Sequence, residues 1–210
     1  HAATEASVHL NHEQPLLMWD TIVLGSKRVL DFAVHAKIKQ CLILSSGAVY
    51  GPAFEGEMLA ETYANYPLSE KTASAYAYGK RSAEQLAMLY RKTYGLDLKI
   101  ARCFAFVGPY LPLDTHFAMG NFIANVLHDL PIVIKGDGST IRSYLYTADL
   151  MIWLWTILIK GKAGEVYNVG SNDEISLFNL AHMLKLSRQS RMEIICHQSK
   201  KTHQPIESYT

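Results

Sequence analysis

The chain has almost no excess of charge of either sign. Its 20 Lys and Arg residues face 19 Asp and Glu residues, which gives a formal net charge of +1 over 210 residues. Nucleic-acid binding draws on a surplus of positive charge that neutralises phosphates, so the composition gives no electrostatic support for that class of function. The sequence also has no uninterrupted apolar run of about 18 residues, the length that a membrane-spanning helix requires.

Cysteine is scarce as well. The three cysteines, Cys41, Cys103 and Cys196, are odd in number and lack the close spacing of metal ligands. Cys41 and Cys103 fall inside apolar segments, so we expect reduced thiols in the core of a cytoplasmic protein. The histidines are scattered without ligand spacing, and we therefore assign no metal.

Glycine-rich phosphate-binding loops are absent too. Neither Gly-x-Gly-x-x-Gly nor Gly-x-x-Gly-x-x-Gly occurs anywhere in the chain. In nucleotide-binding α/β proteins such a loop lets the backbone approach the dinucleotide pyrophosphate. These 210 residues therefore carry no sequence signal for that contact.

The sequence does contain an alternation of helical and strand patterns. Apolar residues recur at helical spacing in five segments, at 15–36, 75–94, 117–129, 150–159 and 177–186. Short apolar runs predict strands at 41–45, 98–104, 132–134, 143–146 and 165–169. Helices that alternate with short strands are typical of an α/β fold with a parallel sheet.

Several local features refine this pattern. Ser74 is predicted to cap the helix that Gly95 ends, and Asp149 to cap the apolar helix 150–159. We expect that apolar helix to be buried. The segment 52–72, with its prolines and mixed polarity, predicts a surface loop over the site.

The most informative motif is Tyr76-x-x-x-Lys80. Residues four apart share one helix face, so the Lys80 ammonium can lie beside the Tyr76 phenol. A nearby cation favours the phenolate, which would let Tyr76 accept a proton at neutral pH. Ser46, at the end of a predicted strand, can both donate and accept a hydrogen bond and so hold a substrate hydroxyl. The alternative is an exposed helical pair without chemistry, since such a pair arises by chance in a tyrosine-rich chain.

The segments around this pair follow the order of a known family. From the amino end they are His1-Ala2-Ala3, 42–51, Tyr76-Ala77-Tyr78-Gly79-Lys80, 101–109, 136–150 and Tyr167-Asn168-Val169-Gly170. In these segments the chain resembles the extended short-chain dehydrogenases/reductases, in the branch of NAD-dependent nucleotide-sugar epimerases and dehydratases. The resemblance runs from one end of the chain to the other.

The resemblance implies a Rossmann-like parallel sheet and a smaller carboxyl-terminal α/β subdomain that binds substrate. Residues 1–107 would form a partial NAD-binding domain, and 108–210 mainly the nucleotide-sugar region, with some segments returning to the sheet. Since His1-Ala2-Ala3 resembles a strand end well inside such enzymes, we expect an internal fragment that lacks the amino-terminal strands. The helices 15–36 and 73–94 would pair into the four-helix bundle of a homodimer.

The resemblance also assigns roles to single residues. The catalytic set would be Ser46, Tyr76 and Lys80. The cofactor NAD would contact Ala2, Ala3, Ser45, Tyr76, Lys80 and Phe104. The nucleotide-diphosphate sugar would contact Ser46, Gly47, Ala48, Arg142 and Asn168.

Two of the substrate contacts have structural alternatives. The forked guanidinium of Arg142 suits a diphosphate, but a surface arginine is the alternative. Asn168 can bond a base or phosphate, or it can cap a turn or close a strand.

The family's reaction begins with oxidation of the sugar at carbon 4, with Tyr76 as the base, and the next step defines the enzyme. Dehydratases of the dTDP-glucose type have an Asp-Glu pair after the catalytic Ser or Thr, where this chain has Gly47-Ala48, and neither can exchange a proton. The carboxylates of the nearby loop, at Glu55, Glu57 and Glu61, offer substitutes or are simply solvated.

Two further departures are Ala105 and Ile22, each of which stands where relatives often have an asparagine. The first removes a usual phosphate contact and the second a polar contact at the cofactor.

An NAD-dependent epimerase or ketoreductase is therefore favoured. The alternative is a dTDP-glucose 4,6-dehydratase-type lyase. An alternative of another class is a non-catalytic module that binds nucleotide-sugar or NAD, although such a module has no need of Ser46, Tyr76 and Lys80.

Overall fold

The computed structural model describes residues 1–2, 7–51, 58–113, 117–188 and 192–197. Ala3, Glu55 and Glu57 lie outside the described residues. The strands are β1 (Gln40–Ser46), β2 (Asp97–Cys103), β3 (Phe106–Val107), β4 (Ile132–Ile134), β5 (Ile141–Ser143), β6 (Leu145–Tyr146), β7 (Val166–Val169), β8 (Glu174–Ser176) and β9 (Ile194–Cys196). The helices are α1 (Val8–Glu13), α2 (Pro15–His35), α3 (Ala75–Tyr94), α4 (Ala118–Leu127), α5 (Thr147–Lys160) and α6 (Leu177–Ser187).

A parallel sheet of three strands, in the order β1-β2-β7, forms the centre of the described structure. At the outer edge of β1, the His1 amino group donates to the Leu42 carbonyl at 2.7 Å, and the Leu44 N–H donates to the His1 carbonyl at 3.1 Å. This is the bonding pattern of a parallel ladder, so the described start of the chain runs beside β1. The predicted α/β fold with a parallel sheet is confirmed.

Helices cover both faces of this sheet. On one face, α2 and α3 pack on each other and on the strands through a core that includes Leu30, Ile43, Ala87, Leu98 and Ile100. On the other face, α5 packs on the sheet through Leu150 and Ile157. Gly95 ends α3 in the left-handed conformation, with φ 70° and ψ 20°, as predicted.

The carboxyl-terminal part of the described chain has its own apolar cluster. It joins α4 and α6 to the parallel pair β4–β9, through side chains such as Phe122, Ile132 and Leu180. The strand predicted at 143–146 is two strands, because β5 pairs antiparallel with β8 while β6 pairs in parallel with β3. Ser143 and Leu145 thus belong to different sheets.

The prediction that the apolar helix 150–159 is buried is wrong. In α5 only Leu150 and Ile157 are buried, whereas Ile152 is 62% and Trp155 57% exposed. The described three-stranded sheet contacts one stripe of the helix, and residues seven apart fall on that stripe.

Two predicted helix caps also need correction. Asp149 is not an N-cap, because Thr147 and Ala148 already belong to α5 and place Asp149 in its first turn. Ser74 occupies the cap position of α3 but makes no side-chain cap bond. Instead Asn11 of α1 does so, since its Oδ1 accepts from the Tyr76 N–H at 2.9 Å.

The three cysteines are free thiols, and each is half-buried rather than enclosed in the core. Within the described ranges no group of three or more His, Cys, Asp or Glu side chains could hold a metal ion. In the same part of the chain no helix is long and apolar enough to cross a membrane.

Candidate active site

The predicted catalytic serine lies where β1 ends. Ser46 is buried, and its Oγ accepts a hydrogen bond from the Ala48 N–H at 3.2 Å. That bond begins a short 3₁₀ turn over Gly47–Tyr50, so the chain leaves the sheet just after the serine. The carboxyl edge of a parallel sheet is where α/β proteins collect their ligand-binding groups.

Tyr76 and Lys80 lie in the first turns of α3. The Lys80 ammonium is buried and donates to the carbonyl of Leu44, two residues before Ser46, at 2.9 Å. It also lies 5.9 Å from the centroid of the Tyr76 ring. Lysine, tyrosine and the end of the serine strand therefore meet at one place, as the spacing predicted.

Burial changes the acid–base behaviour of this place. The loss of hydration lowers the pKa of Lys80 from 10.5 to about 8, against the opposing effects of Cys103 and Glu84. Burial raises the pKa of the Cys103 thiol to about 11, against the opposing charge of Lys80. At neutral pH Lys80 is thus a cation that loses its proton readily above pH 8, and Cys103 is a neutral thiol.

Phe104 closes one side of the serine turn. Its ring stacks with that of Tyr50 at a centroid distance of 6.3 Å, and its N–H donates to the Val169 carbonyl at 3.0 Å. A Cβ at Gly47 would lie 2.8 Å from this ring, and one at Gly170 would lie 3.2 Å from the Phe104 Cβ. At both positions glycine leaves the space that the Phe104 side chain occupies.

Asn168 is held by internal partners. Its Nδ2 donates to the Leu59 carbonyl at 2.6 Å, and its Oδ1 accepts from the Tyr50 hydroxyl at 2.7 Å. Its N–H donates to Glu61 Oε1 at 2.8 Å. The described residues 58–61, which we call the strap, are thereby fastened to the end of β7.

Two polar side chains next to the site escaped prediction. Glu84 follows Lys80 by one helical turn, is buried, and accepts from the Ser45 hydroxyl at 2.5 Å. Arg102 donates to both Glu84 oxygens, at 3.0 and 2.7 Å. The sequence signal that could have found them is a charged residue at a core-facing position of a predicted helix, Glu84, and of a predicted strand, Arg102.

Arg102 also reaches the strap. Its Nη1 donates to the Glu61 carbonyl at 3.2 Å, and its guanidinium carbon lies 4.7 Å from the centroid of the Tyr50 ring. Burial alone would lower the pKa of Arg102, but the hydrogen bonds and charge of Glu84 outweigh it and raise that pKa.

The other predicted ligand contacts are placed less centrally. Arg142 is half-buried on β5, and its Nη1 donates to the carbonyl of Ile141 at 2.8 Å. Ala2 is exposed beside β1, while Gly47 and Ala48 are buried in the serine turn. A cavity of about 260 Å³ opens between Phe104, Asn168, the strap and the start of β8.

The residues present fit the nicotinamide end of a dinucleotide. They offer a buried cation, a tyrosine, a serine at a strand end and the ring of Phe104, all on one edge of a parallel sheet. Contacts to the pyrophosphate have no glycine-rich loop in this sequence to provide them.

Comparison with known proteins gives relatives of several activities. The chain is 33% identical over 187 residues to UDP-glucuronic acid decarboxylase 1 of Arabidopsis thaliana, which covers 88% of this chain and 42% of that protein. It is 29% identical over 184 residues to a dTDP-glucose 4,6-dehydratase of Streptomyces antibioticus, which covers 88% and 52% respectively. The chain thus spans about half the length of these curated relatives.

Solved structures agree with the fold. UDP-glucose 4-epimerase of Thermotoga maritima, determined with UDP-glucose, matches 99% of this chain and 67% of its own, with a TM-score of 0.85 and 24% identity. DesIV, a dTDP-glucose 4,6-dehydratase of Streptomyces venezuelae determined with NAD and TYD bound, matches 97% of this chain and 61% of its own, with a TM-score of 0.81 and 27% identity.

The family itself is settled by a family model that matches residues 1–170. Its cofactor is NAD, as the resemblance implied. The chain belongs to the NAD-dependent epimerase/dehydratase family.

Proposed function

We propose that the protein is a nucleotide-sugar epimerase or ketoreductase that works through a 4-keto-sugar. The observation that carries this proposal is the position of Lys80. Its buried ammonium is bonded at 2.9 Å to Leu44, just before Ser46, and lies 5.9 Å from the Tyr76 ring centroid. Burial of an ammonium is costly, so the presence of one beside a tyrosine favours a chemical role.

Each residue of the set has a distinct task. Lys80 stabilises the Tyr76 phenolate, and Tyr76 takes the proton of the sugar 4-hydroxyl. Ser46 hydrogen-bonds the same oxygen and holds it in line. NAD, when bound, supplies the oxidation and the later reduction at carbon 4. We retain Ala2, Ala3, Ser45 and Phe104 as its further proposed contacts.

The serine turn favours epimerase or ketoreductase over dehydratase. Loss of water needs an acid and a base next to the sugar, and Gly47 and Ala48 provide neither. A side chain at Gly47 would also require the Phe104 ring to move, since a Cβ there would lie 2.8 Å from it. A 4-keto-sugar formed here therefore meets no acid–base pair in this turn. Carbon 4 would then receive a hydride from the reduced cofactor while the 4-oxygen takes the proton back from Tyr76, which together complete either an epimerisation or a reduction.

A nucleotide-diphosphate sugar is the proposed substrate, bound mainly by residues 108–210. The cavity beside Phe104 supports this, because it is lined by Ser143 and Glu174 from the carboxyl-terminal strands. Arg142, adjacent to Ser143, is the proposed diphosphate contact. For Asn168 we favour the strand-closing alternative, because Tyr50 and Leu59 occupy its side chain.

We further propose a homodimer in the cytoplasm. The helices α2 and α3 pack side by side and expose Leu16, Leu24 and Leu89. Pairing of two such faces would form a four-helix bundle. Sedimentation at micromolar concentration should show a dimer, and a monomer alone would contradict this.

The proposed cytoplasmic location rests on the free thiols, which support a reducing compartment.

The catalytic assignment is tested with two tyrosine variants of the full gene product. With NAD and a panel of nucleotide sugars, Tyr76→Phe should lose turnover by about a hundredfold or more, since a general base is removed. Tyr78→Phe is the matched control, because its hydroxyl bonds the Pro67 carbonyl instead. Tyr78→Phe should keep turnover. Equal activity of the two variants would remove Tyr76 from its role, and no turnover by the wild type would favour a binding module.

A further inference from the structure

Two neighbouring hydrogen bonds connect α3, which carries Tyr76 and Lys80, to β1, which ends at Ser46. Lys80 donates to the carbonyl of Leu44, and one helical turn later Glu84 accepts from the hydroxyl of Ser45. The next residue of the strand is Ser46. The two contacts therefore determine how the start of α3, with Tyr76, lies against the end of β1.

Glu84 is itself fixed from the other side. Arg102 of β2 donates to both oxygens of Glu84. The side chain of Glu84 is 9% exposed and that of Arg102 is 14% exposed. A buried carboxylate is retained only when its charge and its lone pairs are matched, as they are here by Ser45 and Arg102. Its conformation is thus determined by three elements, α3, β1 and β2.

Glu84 is also the anion that faces Lys80 when Lys80 titrates. Within the described part of the chain, the titratable groups around the ammonium are Tyr76 and Glu84 on its own helix and Cys103 on β2. Burial raises the pKa of Cys103 to about 11, so its thiol is neutral near pH 8, where Lys80 loses its proton. In that range Glu84 is the carboxylate left to oppose the effect of burial.

We infer that Glu84 is a positioning residue of the active site: fixed by Ser45 and Arg102, it sets Tyr76 against Ser46 and keeps Lys80 cationic. The positioning role of Glu84 in catalysis rests on the proposed function. The electrostatic part of the inference concerns Lys80 alone and is measurable without substrate.

The electrostatic part is tested by titration. In protein labelled with ¹³C-lysine, the Lys80 signal is assigned by its loss in Lys80→Arg. Glu84→Gln keeps the shape and one of the two hydrogen-bonding oxygens but removes the charge, so the midpoint of Lys80 should fall by about one pH unit. The matched control is Glu165→Gln, which removes an exposed ion-paired carboxylate 3.3 Å from Lys162. An unchanged Lys80 midpoint in Glu84→Gln would overturn the inference.

The positioning part is tested through turnover. Glu84→Gln should lower kcat about tenfold with little change in KM, and activity should decline at a lower pH than in the wild type. Ser45→Ala leaves the charge of Glu84 but removes the hydrogen bond from the Ser45 hydroxyl, so it should also lower kcat. Ser45→Thr keeps a hydroxyl and should have a kcat close to that of the wild type. Equal kcat for Ser45→Ala and Ser45→Thr would overturn the positioning role. If the wild type turns over no nucleotide sugar while the Lys80 midpoint still falls in Glu84→Gln, the proposed function fails and the electrostatic inference stands.

Discussion

The strand β2 carries an ion pair at each end, and the two pairs differ in kind. At the carboxyl end, Arg102 makes two hydrogen bonds to Glu84 and a third to the strap. At the amino end, Lys99 and Asp97 lie 2.6 Å apart, yet the angles are not those of a hydrogen bond, and the two atoms find no other partner among the described residues. One pair is built into a network. In the other, the buried Lys99 ammonium makes no hydrogen bond among the described residues, and Asp97 accepts only from the exposed Gln40, at 3.4 Å.

The difference teaches where this chain maintains precise geometry. A fully matched polar network fixes one arrangement of its elements, whereas an isolated buried pair seldom adds stability over apolar side chains of the same volume. The matched pair lies beside Ser46 and Lys80, while the Lys99–Asp97 pair lies at the opposite end of the sheet. We therefore expect substitutions at the carboxyl end of β2 to lower stability and turnover, and substitutions at its amino end to change both very little.

The largest effect is expected from Arg102→Met. When the guanidinium is removed, the buried Glu84 loses its ion pair and the two hydrogen bonds that Arg102 donates, which should cost about 3–5 kcal/mol of folding free energy. Denaturant unfolding measures this loss. The double variant Glu84→Met/Arg102→Met should recover most of the stability but not the turnover. Recovery of both would mean that the pair serves the fold alone.

A smaller loss is expected from filling the serine turn. In Gly47→Ala the new methyl would lie 2.8 Å from the Phe104 ring, so the ring must move, at about 1–3 kcal/mol. Gly25→Ala is the matched control, since a Cβ there meets nothing within 4 Å and α2 should gain about 0.5–1 kcal/mol. Thermal unfolding of the two variants should shift in opposite directions. A shared direction would contradict the close packing of Gly47 and Phe104.

The smallest effect is expected at the amino end of β2. Lys99→Met replaces a fully buried ammonium by an apolar chain of similar length, and its partner Asp97 is 37% exposed and can be hydrated. The free energy of unfolding should change by less than about 1 kcal/mol or increase, and turnover should stay the same. A loss as large as that of Arg102→Met would remove the contrast between the two ends of β2.

Periodicity and motif spacing were sufficient for much of the fold and for the proximity of Tyr76, Lys80 and the end of β1. The helix that carries Tyr76 and Lys80 and the strand before Ser46 follow from local pattern, because residues four apart share a helix face and short apolar runs form buried strands. Gly95 ended its helix as predicted, since a left-handed turn favours glycine.

What the sequence did not reveal depends on contacts between distant segments. Asn11 caps α3 from 65 residues away, and Arg102 meets Glu84 across 18 residues. Asn168 is bound to Tyr50 from 118 residues away. The exposure of α5 was missed for a related reason, since an apolar run alone does not tell how wide a sheet lies beneath it. Local pattern cannot report such partners.

The most direct test of the account is the mass of the product. The full gene product is incubated with NAD and UDP-, dTDP-, CDP- and GDP-sugars, and the products are analysed by mass spectrometry. The serine turn with Gly47 and Ala48 predicts a product of unchanged mass and altered retention, as an epimerase gives, or one reduced at the ketone when a keto-sugar is supplied. A product lighter by one water would contradict the account, because the acid and base for water loss would then have to lie elsewhere. A product lighter by carbon dioxide would also contradict it, because the 4-keto-sugar would then lose its carboxyl group instead of being returned at the same mass.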